Sequence, residues 1–575
     1  MSTKLRMPNI DLNPNDWEEV KYILRTHLPE YEIWAFGSRV SWTAKAYSDL
    51  DLAIITSQPL PLTRFAEVRE AFDESTLSIK VDLVDWAATI ESFRLIIKKG
   101  KVILQAPNTA LTGWEFKRLI DCTSDRTISY GIVQPGRLDP NGIPIIRVNN
   151  FNKGRLQLED VFKVSPEIEK KYLRTRLFGR EVLLTLVGST GQSAVVPKEM
   201  AGWNIARAVA VIRPREEIGA DWINICLQTK DVQRFLDERA NTTVQKTLNL
   251  ADVREIPIPI PPKPIKRQIE TIMLALTNKI ELNRQINQTL EEMAQAIFKS
   301  WFVDFDPVKA KIEARANGHD PERAAMCAIS GKTDVQLDHL APDQLDQLRA
   351  TAVLFPDELI DSELRPIPKG WEETNLGEIT IELRRGVSPK YVEKGGVKVV
   401  NQKCIRNHTI DFSLCRCNDP AKRKINGREL QIGDILVNST GVGTLGRLSP
   451  VRYLPEETTV ADSHVTVVRG DKERVTASYL ASFILTKESF IESSGAGSTG
   501  QTELRRQVLE DIELCLPSYN IQEAFEKVGK PIHDIITKNE QQKSTLSQLR
   551  DALLPKLFSG EISVNGTGSI IQEEA

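Results

Sequence analysis

An α+β multidomain protein is predicted: a small α/β domain at the front, then two larger α/β domains joined by two long antiparallel helices in a coiled coil. Three observations predict it. The sequence from residue 113 to 560 states nearly the same pattern twice; each statement ends in a long tract of helical periodicity; and the first 106 residues lie outside the repeat with a strand-and-turn pattern of their own. At 575 residues the chain is too long for one core and predicts about three to five domains.

Composition narrows the class only a little. A net charge of −3 and a pI near 6.2 argue against a protein that simply coats nucleic acid, although a basic face fits inside a neutral total. The seven cysteines are scattered, and the tightest group, Cys404, Cys415 and Cys417, lacks the second pair that a zinc site needs. Buried free thiols are the expectation. No charged-then-apolar leader follows Met1 and no run approaches the ~18 apolar residues of a membrane helix, so a soluble, cytoplasmic protein with no membrane partner is expected.

The front domain, 12–106, carries the sharpest chemistry. An apolar strand over 31–36 runs into Gly37-Ser38-Arg39, and after ten residues past Ser38 come Asp49-Leu50-Asp51 at the head of a second strand, 52–55. Side chains two apart on a strand share a face, which puts Asp49 and Asp51 together; a third strand, 79–84, offers Asp82 beside them. Three convergent carboxylates suit Mg²⁺ ions that clamp a nucleoside triphosphate. Gly37 lets the backbone approach phosphate and Ser38 can donate a hydrogen bond to it. This pattern, G-S-x(10)-D-x-D with a later Asp, resembles the minimal nucleotidyltransferases of the DNA polymerase β superfamily over about 85 residues. The resemblance implies nucleotide transfer from a triphosphate, with Asp49 and Asp51 as metal ligands and Asp82 as third ligand or catalytic base. One departure is Trp42, where the family often has glycine: a ring there narrows the nucleotide pocket or marks a domain kept for binding.

The repeated part follows. Gly113-Trp114-Glu115 returns as Gly370-Trp371-Glu372, Leu186-Val187-Gly188-Ser189-Thr190-Gly191 as Leu436-Val437-Asn438-Ser439-Thr440-Gly441, and 256–261 as 512–517, at offsets of 257, 250 and 256 residues. Such constancy argues for duplication of a whole unit. Each copy opens with short β-rich runs, such as 181–186 and 431–437, broken by Gly, Pro and Asn turns, which gives mixed α/β domains over 110–262 and 369–518. Proline then forbids helix and fixes the exit direction, at 256–262 and again at Leu516-Pro517.

The two long helices come next, 263–303 and 519–558. Ile269, Ile272, Leu276, Ile280, Ile286, Leu290, Met293 and Ile297 make an apolar seam on the first, broken at Asn283. Phe525, Val528, Ile532, Ile535, Leu546, Leu549 and Leu553 do so on the second, broken at Asn539, and the two asparagines are again 256 apart. A buried asparagine pair would set the register of the two helices; the alternative is that each faces solvent on a slightly rotated helix. At 1.5 Å per residue such helices make a rod on the order of 50 Å, which suits two readers held apart along a duplex. Between the copies, the charged stretch 304–368, with Asp338, Asp343, Asp346 and Glu358, reads as a solvated connector, and 559–575 as a flexible tail.

These features resemble the specificity subunit of type I restriction-modification systems over nearly everything past residue 110. The phrases Lys299-Ser300-Trp301-Phe302-Val303-Asp304-Phe305-Asp306-Pro307-Val308 and Leu354-Phe355-Pro356-Asp357, leading into Pro366-Ile367-Pro368-Lys369-Gly370-Trp371, share in it. The resemblance makes the larger domains target-recognition domains and the helices spacers. It implies a non-catalytic reader of double-stranded DNA that binds two methyltransferase subunits and restriction (helicase-nuclease) subunits, with S-adenosylmethionine and ATP used by those partners. For the bases, Arg147, Val148, Asn149 and Asn150 align with Asn401, Gln402, Lys403 and Cys404, and three of each four can pair with base edges or phosphates. A solvated strand end is the other reading. Unlike polar sets predict an asymmetric bipartite target. The loops Thr242-Thr243-Val244-Gln245 and Ser498-Thr499-Gly500-Gln501 are further candidates. Two rival functions stay open: a metal-dependent, antitoxin-like nucleotidyltransferase of proteins that the repeats target to DNA, and a scaffold that reads no DNA.

Overall fold

A computed structural model describes residues 8–45, 47–106, 114–152, 154–158, 161–240, 246–362, 365–393, 395–425, 427–441, 443–456, 458–495 and 503–562. It divides into two compact units, Met1–Asn278 with Ser547–Ala575, and Lys279–Leu546.

In the first unit, the front domain begins with helix Pro14–His27, where the Asn13 side chain accepts from the Asp16 N–H and a proline opens the first turn. Strands Glu32–Phe36, Leu50–Ile55, Val81–Asp85 and Val102–Gln105 form one sheet in the order 81–85, 50–55, 32–36, 102–105. The 50–55 strand is antiparallel to 32–36 and parallel to 81–85, which sets Asp51 opposite both Phe36 and Asp82. Ile33, Leu50, Leu52 and Ile54 are fully buried against Val20, Leu24 and Leu28, each aliphatic side chain contributing roughly 1.5–3 kcal/mol by leaving water.

The recognition domain of this unit has two sheets. One runs Ser193–Val195, Val182–Thr185, Val209–Pro214, Thr123–Tyr130; the other Phe162–Val164, Ile143–Ile146, Asn204–Ile205. Gly131 joins them: a Cβ there would lie 1.9 Å from the Ile205 carbonyl oxygen, so only glycine lets the chain cross at this point. The proline-rich tract is more than punctuation. Pro257–Ile260 is a strand paired with Glu115–Arg118, and Ile256 and Ile258 are buried. An edge position in a two-stranded sheet tolerates the missing N–H groups. Trp222 donates to the Pro259 carbonyl (2.8 Å) and stacks on Phe558 at 5.3 Å, with Trp114 edge-on at 6.1 Å to the same ring. The carboxy-terminal end of the second long helix is thus part of this core.

The second unit repeats the plan. Thr380–Arg385, Val465–Gly470, Ile435–Asn438 and Leu448–Pro450 form one sheet; Tyr391–Val392, Arg416–Asn418, Val397–Val400 and Thr459–Ala461 the other; Glu372–Asn375 pairs with Glu513–Leu516. Gly386 matches Gly131, a Cβ there falling 2.0 Å from the Ala461 carbonyl oxygen. The phrase 299–308 is aromatic core: Trp301, Phe302 and Phe305 are buried with Phe298, Phe355, Trp371, Tyr479 and Phe525. Residues 304–368 are not a bare connector. Helices Pro321–Ser330 and Pro342–Leu354 pack around Ala325, Met326, Leu337 and Ala352, while helix Asp306–Ala316 sends Val308 and Ile312 to the aromatic core. Buried Lys311 donates to the Phe355 carbonyl (2.8 Å).

The long helices are Lys263–Phe298 and Tyr519–Phe558. Within the second unit they run antiparallel, since Asn283 meets Gln542 while Asn287 meets Asn539 and Ile536. Asn283 is buried, as a core asparagine should be, but its amide donates to Gln542 Oε1 (2.7 Å) rather than to Asn539. Asn539 donates to Asn287 Oδ1 (2.8 Å), and Asn287 to the Ile536 carbonyl (3.1 Å). The seam is also rotated. Ile286, Met293, Val528, Ile535 and Leu549, expected inside, are exposed, whereas Ala294, Ile536 and Glu540 are buried. Both helices carry apolar residues on more than one stripe, and only one stripe is covered.

Candidate functional site

In the front domain, strand pairing gathers the predicted carboxylates along the edge where 50–55 and 81–85 begin. Asp51 and Asp82 are register partners, and Asp49 immediately precedes the strand that starts at Leu50. Burial, and after it the charges of Asp82 and Asp49, push the Asp51 carboxyl above the usual aspartate range. Gly37, at φ +80°, holds its α-carbon against that carboxylate: a Cβ would come 2.3 Å from Asp51 Oδ2. The turn after it is tied by the Thr43 N–H to the Ser38 carbonyl (3.0 Å). Ser38 is half-buried there.

Lys80 is a member of this group that sequence reasoning missed. Its ammonium lies 2.9 Å from Asp82 Oδ1, with both groups substantially exposed, and the hydrogen bond to Asp82 raises the lysine pKa. The signal was present, since Lys80 and Asp82 are two apart along one extended segment. Among the described residues no group of three or more His, Cys, Asp or Glu side chains is placed to hold a metal ion. The donor type, neighbouring carboxylates on one sheet edge, nonetheless suits a divalent cation. Trp42 does not close the site. Its ring is 59% exposed, and its backbone sits at φ +56°, the left-handed region that glycine favours.

In the recognition domains, the aligned residues form two matched single-turn helices, Val148–Asn150 and Gln402–Cys404, each following the inner strand of the second sheet. Asn150 is buried and spent on the turn, accepting from the Arg147 N–H (2.9 Å) and donating to the Gln157 carbonyl (3.1 Å). The Arg147 guanidinium lies over the Phe162 ring at 5.0 Å. Asn401 accepts from the Lys403 N–H (2.9 Å), and Gln402 donates to the Thr440 carbonyl (2.8 Å). Asn149 and Lys403 occupy the same place in the two turns, and both are exposed. Residues 242–245 and 498–501 lie outside the described residues. The cysteines are free thiols, with Cys122, Cys226 and Cys404 buried. Among the described residues no helix is long and apolar enough to cross a membrane.

Comparison with known proteins agrees with both halves of this geometry. The profile of the type I restriction modification DNA specificity domain matches twice, at 113–292 and 368–548, and that of the polymerase β nucleotidyltransferases matches 18–108. The type I restriction enzyme HindI specificity subunit of Haemophilus influenzae is 29% identical over 397 residues, covering 65% of this chain and 84% of that protein. The EcoBI specificity subunit of Escherichia coli is 34% identical over 172 residues, 29% of this chain and 35% of that protein. The front domain is 50% identical over 96 residues to a Haemophilus influenzae protein named "Probable protein adenylyltransferase MntA", covering 17% of this chain and 84% of that protein. Two matched recognition domains on paired helices, preceded by a carboxylate-edged sheet, place the chain in the type I restriction-modification DNA specificity family, with a nucleotidyltransferase domain at its front.

Proposed function

We propose that this specificity subunit reads a bipartite, asymmetric double-stranded DNA site, and that its front domain uses a nucleoside triphosphate. The observation that carries the first part is the contrast at one position of two otherwise matched turns: the neutral amide of Asn149 against the ammonium of Lys403. An amide pairs with a base edge, while a cation favours phosphate or guanine. Arg147, Asn401 and Gln402 hold their turns and frame that contact; Asn150 does so from inside. Two methyltransferase subunits dock on the paired helices, supported by the exposed apolar residues Leu282, Ile286 and Met293 on one helix and Val528 and Ile535 on the other. Restriction subunits join that assembly. S-adenosylmethionine and ATP serve the partners, and the assembly works in the cytoplasm. Co-expression with the methyltransferase subunit, followed by mapping of modified bases, should give one split sequence with two unlike halves. A symmetric or unsplit motif overturns the asymmetric reading.

In the front domain, Asp49 and Asp51 would hold Mg²⁺, with Asp82 as third ligand or base; bound there, the metal supplies charge neutralisation of the phosphates. Gly37 keeps the backbone close enough for Ser38 to donate to a phosphate oxygen. Where Asp82 serves as the base it takes the proton of the attacking hydroxyl, and the ion pair with Lys80 holds its carboxylate in place. Labelled ATP with Mg²⁺ should mark a protein acceptor, and Asp49→Ala/Asp51→Ala should lose at least ~100-fold of that label while DNA binding persists. Equal labelling by the double variant overturns it. The opposite ranking of functions, transfer first and DNA targeting second, is favoured if the labelled acceptor is made only on DNA.

A further inference from the structure

The second recognition domain sends one cation into the helix pair. Arg452, just past strand Leu448–Pro450, is buried, with only 9% of its side chain exposed. Its guanidinium lies 2.7 Å from Glu291 on the first long helix and 3.5 Å from Glu540 on the second, and both glutamates are themselves largely buried. The remaining reach is used on the recognition domain: Nη1 donates to the His408 carbonyl (2.8 Å). That carbonyl lies in the tight turn Asn407-His408, where both residues take left-handed backbone, φ +50° and +54°, although neither is glycine. Such conformations are costly and persist where the surroundings impose them. His408 is held from its other side, its imidazole Nε2 lying 2.7 Å from Glu488. The turn closes the hairpin Ile405–Arg406 with Thr409–Ile410, which follows directly on Gln402–Cys404.

We infer that Arg452 is a positioning residue that locks the reading turn of the second recognition domain to both long helices, so that its half of the DNA site is read at one fixed place. Removing water from a guanidinium and two carboxylates is expensive, and a simple docking surface would be apolar. What an ion triad adds is direction: three planar groups and a carbonyl fix one orientation. The first domain has no such cation at the matching place. Strand Ser193–Val195 corresponds to Leu448–Pro450, and the position of Arg452 is there Pro197. That domain instead sends Arg155 to the Thr277 carbonyl (3.0 Å) and Asn278 Oδ1 (3.1 Å) on one helix, with no carboxylate among these two acceptors.

The inference rests on the proposal that the chain reads a split DNA site, and its test separates the two. In the full chain, spectroscopic labels introduced without cysteine at Gln285 and Lys422 report the distance from helix to recognition domain by pulsed electron resonance. The native chain should give one narrow distance; Arg452→Met should broaden it, and Arg452→Lys, which keeps the charge without the planar fork, should broaden it less. Because Arg452→Met strands two buried glutamates, Arg452→Met/Glu291→Gln/Glu540→Gln is measured beside it; that variant should fold, keep its melting behaviour, and still give the broad distribution. In complex with the methyltransferase subunit, discrimination against DNA whose half-sites are moved apart by one base pair should fall roughly tenfold in the broadened variants, with overall salt dependence unchanged. A narrow distance in the folded neutral variant overturns the positioning role, whether or not DNA is bound. Narrow native and broad variant distances with no DNA binding by the native chain would leave the lock standing and overturn the DNA reading.

Discussion

The two recognition domains share a chain path, apart from the additional strand Tyr391–Val392 in the second, yet spend their polar side chains differently. In the first, the turn after the inner strand is closed from within, by buried Asn150; in the second it is closed from its first residue, by Asn401, with Gln402 tied to Thr440. The single-turn helix is present in both, and its exposed middle residue carries an amide in one case and an ammonium in the other. Their apolar anchors, by contrast, are equivalent. Trp371 packs on Phe302 at 5.9 Å and Trp114 on Phe558 at 6.1 Å, so each long helix ends in the core of the domain it did not leave. Duplication has kept what builds the fold and let the exposed contact and the domain's attachment drift.

The strongest way to break this equivalence is to truncate matched core residues. Trp301→Ala should cost the second unit about 3–5 kcal/mol, and Leu557→Ala, at the matching helix position, should cost the first about 2–5 kcal/mol. Calorimetry of the full chain should show each variant lowering one transition; both shifting a single common transition would show that the halves do not melt separately. Next in size are the matched glycines. Gly131→Ala and Gly386→Ala each drive a methyl into a backbone carbonyl and should destabilise by about 1–3 kcal/mol apiece, readable as urea midpoints. A large difference between the two would deny that they share a role.

The exposed pair sharpens the comparison on DNA. Asn149→Ala should cost about 1–3 kcal/mol and relax specificity at one half-site, whereas Lys403→Ala, if it meets phosphate, should lower the salt slope by about one. Binding titrations across salt concentrations distinguish them. The smallest effect is in pH. The hydrogen bond from Arg176 holds the Glu169 carboxyl low, so its stabilisation is present above the ordinary glutamate pKa and is lost as pH falls through the folded value. Burial holds Glu540 high, so stability of the second unit falls as pH rises from the ordinary glutamate value to the folded one. Melting temperatures followed against pH should lose the first slope in Glu169→Gln and the second in Glu540→Gln.

Much of this was legible in the chain. The front-domain strands and the G-S-x(10)-D-x-D spacing were readable because strand periodicity and metal-type chemistry are local. The acidic stretch 304–368 misled, since its charges line the outward faces of helices whose small apolar residues are few and spaced apart. The proline tract misled in the opposite direction, its alternating isoleucines fitting an edge strand.

By itself, then, the sequence determined the duplication, the placement of two long helices, the carboxylate set Asp49, Asp51 and Asp82, and the presence of asparagines in the helix seam. Only the tertiary structure decided that Asn283 is satisfied by Gln542 and Asn539 by Asn287, which apolar stripe of each helix is covered, and that Arg452 meets Glu291 and Glu540. The physical reason is range. Periodicity and motif spacing act between residues a few positions apart, whereas a buried polar group takes whichever partner packing brings within reach, here 88 to 259 residues away along the chain.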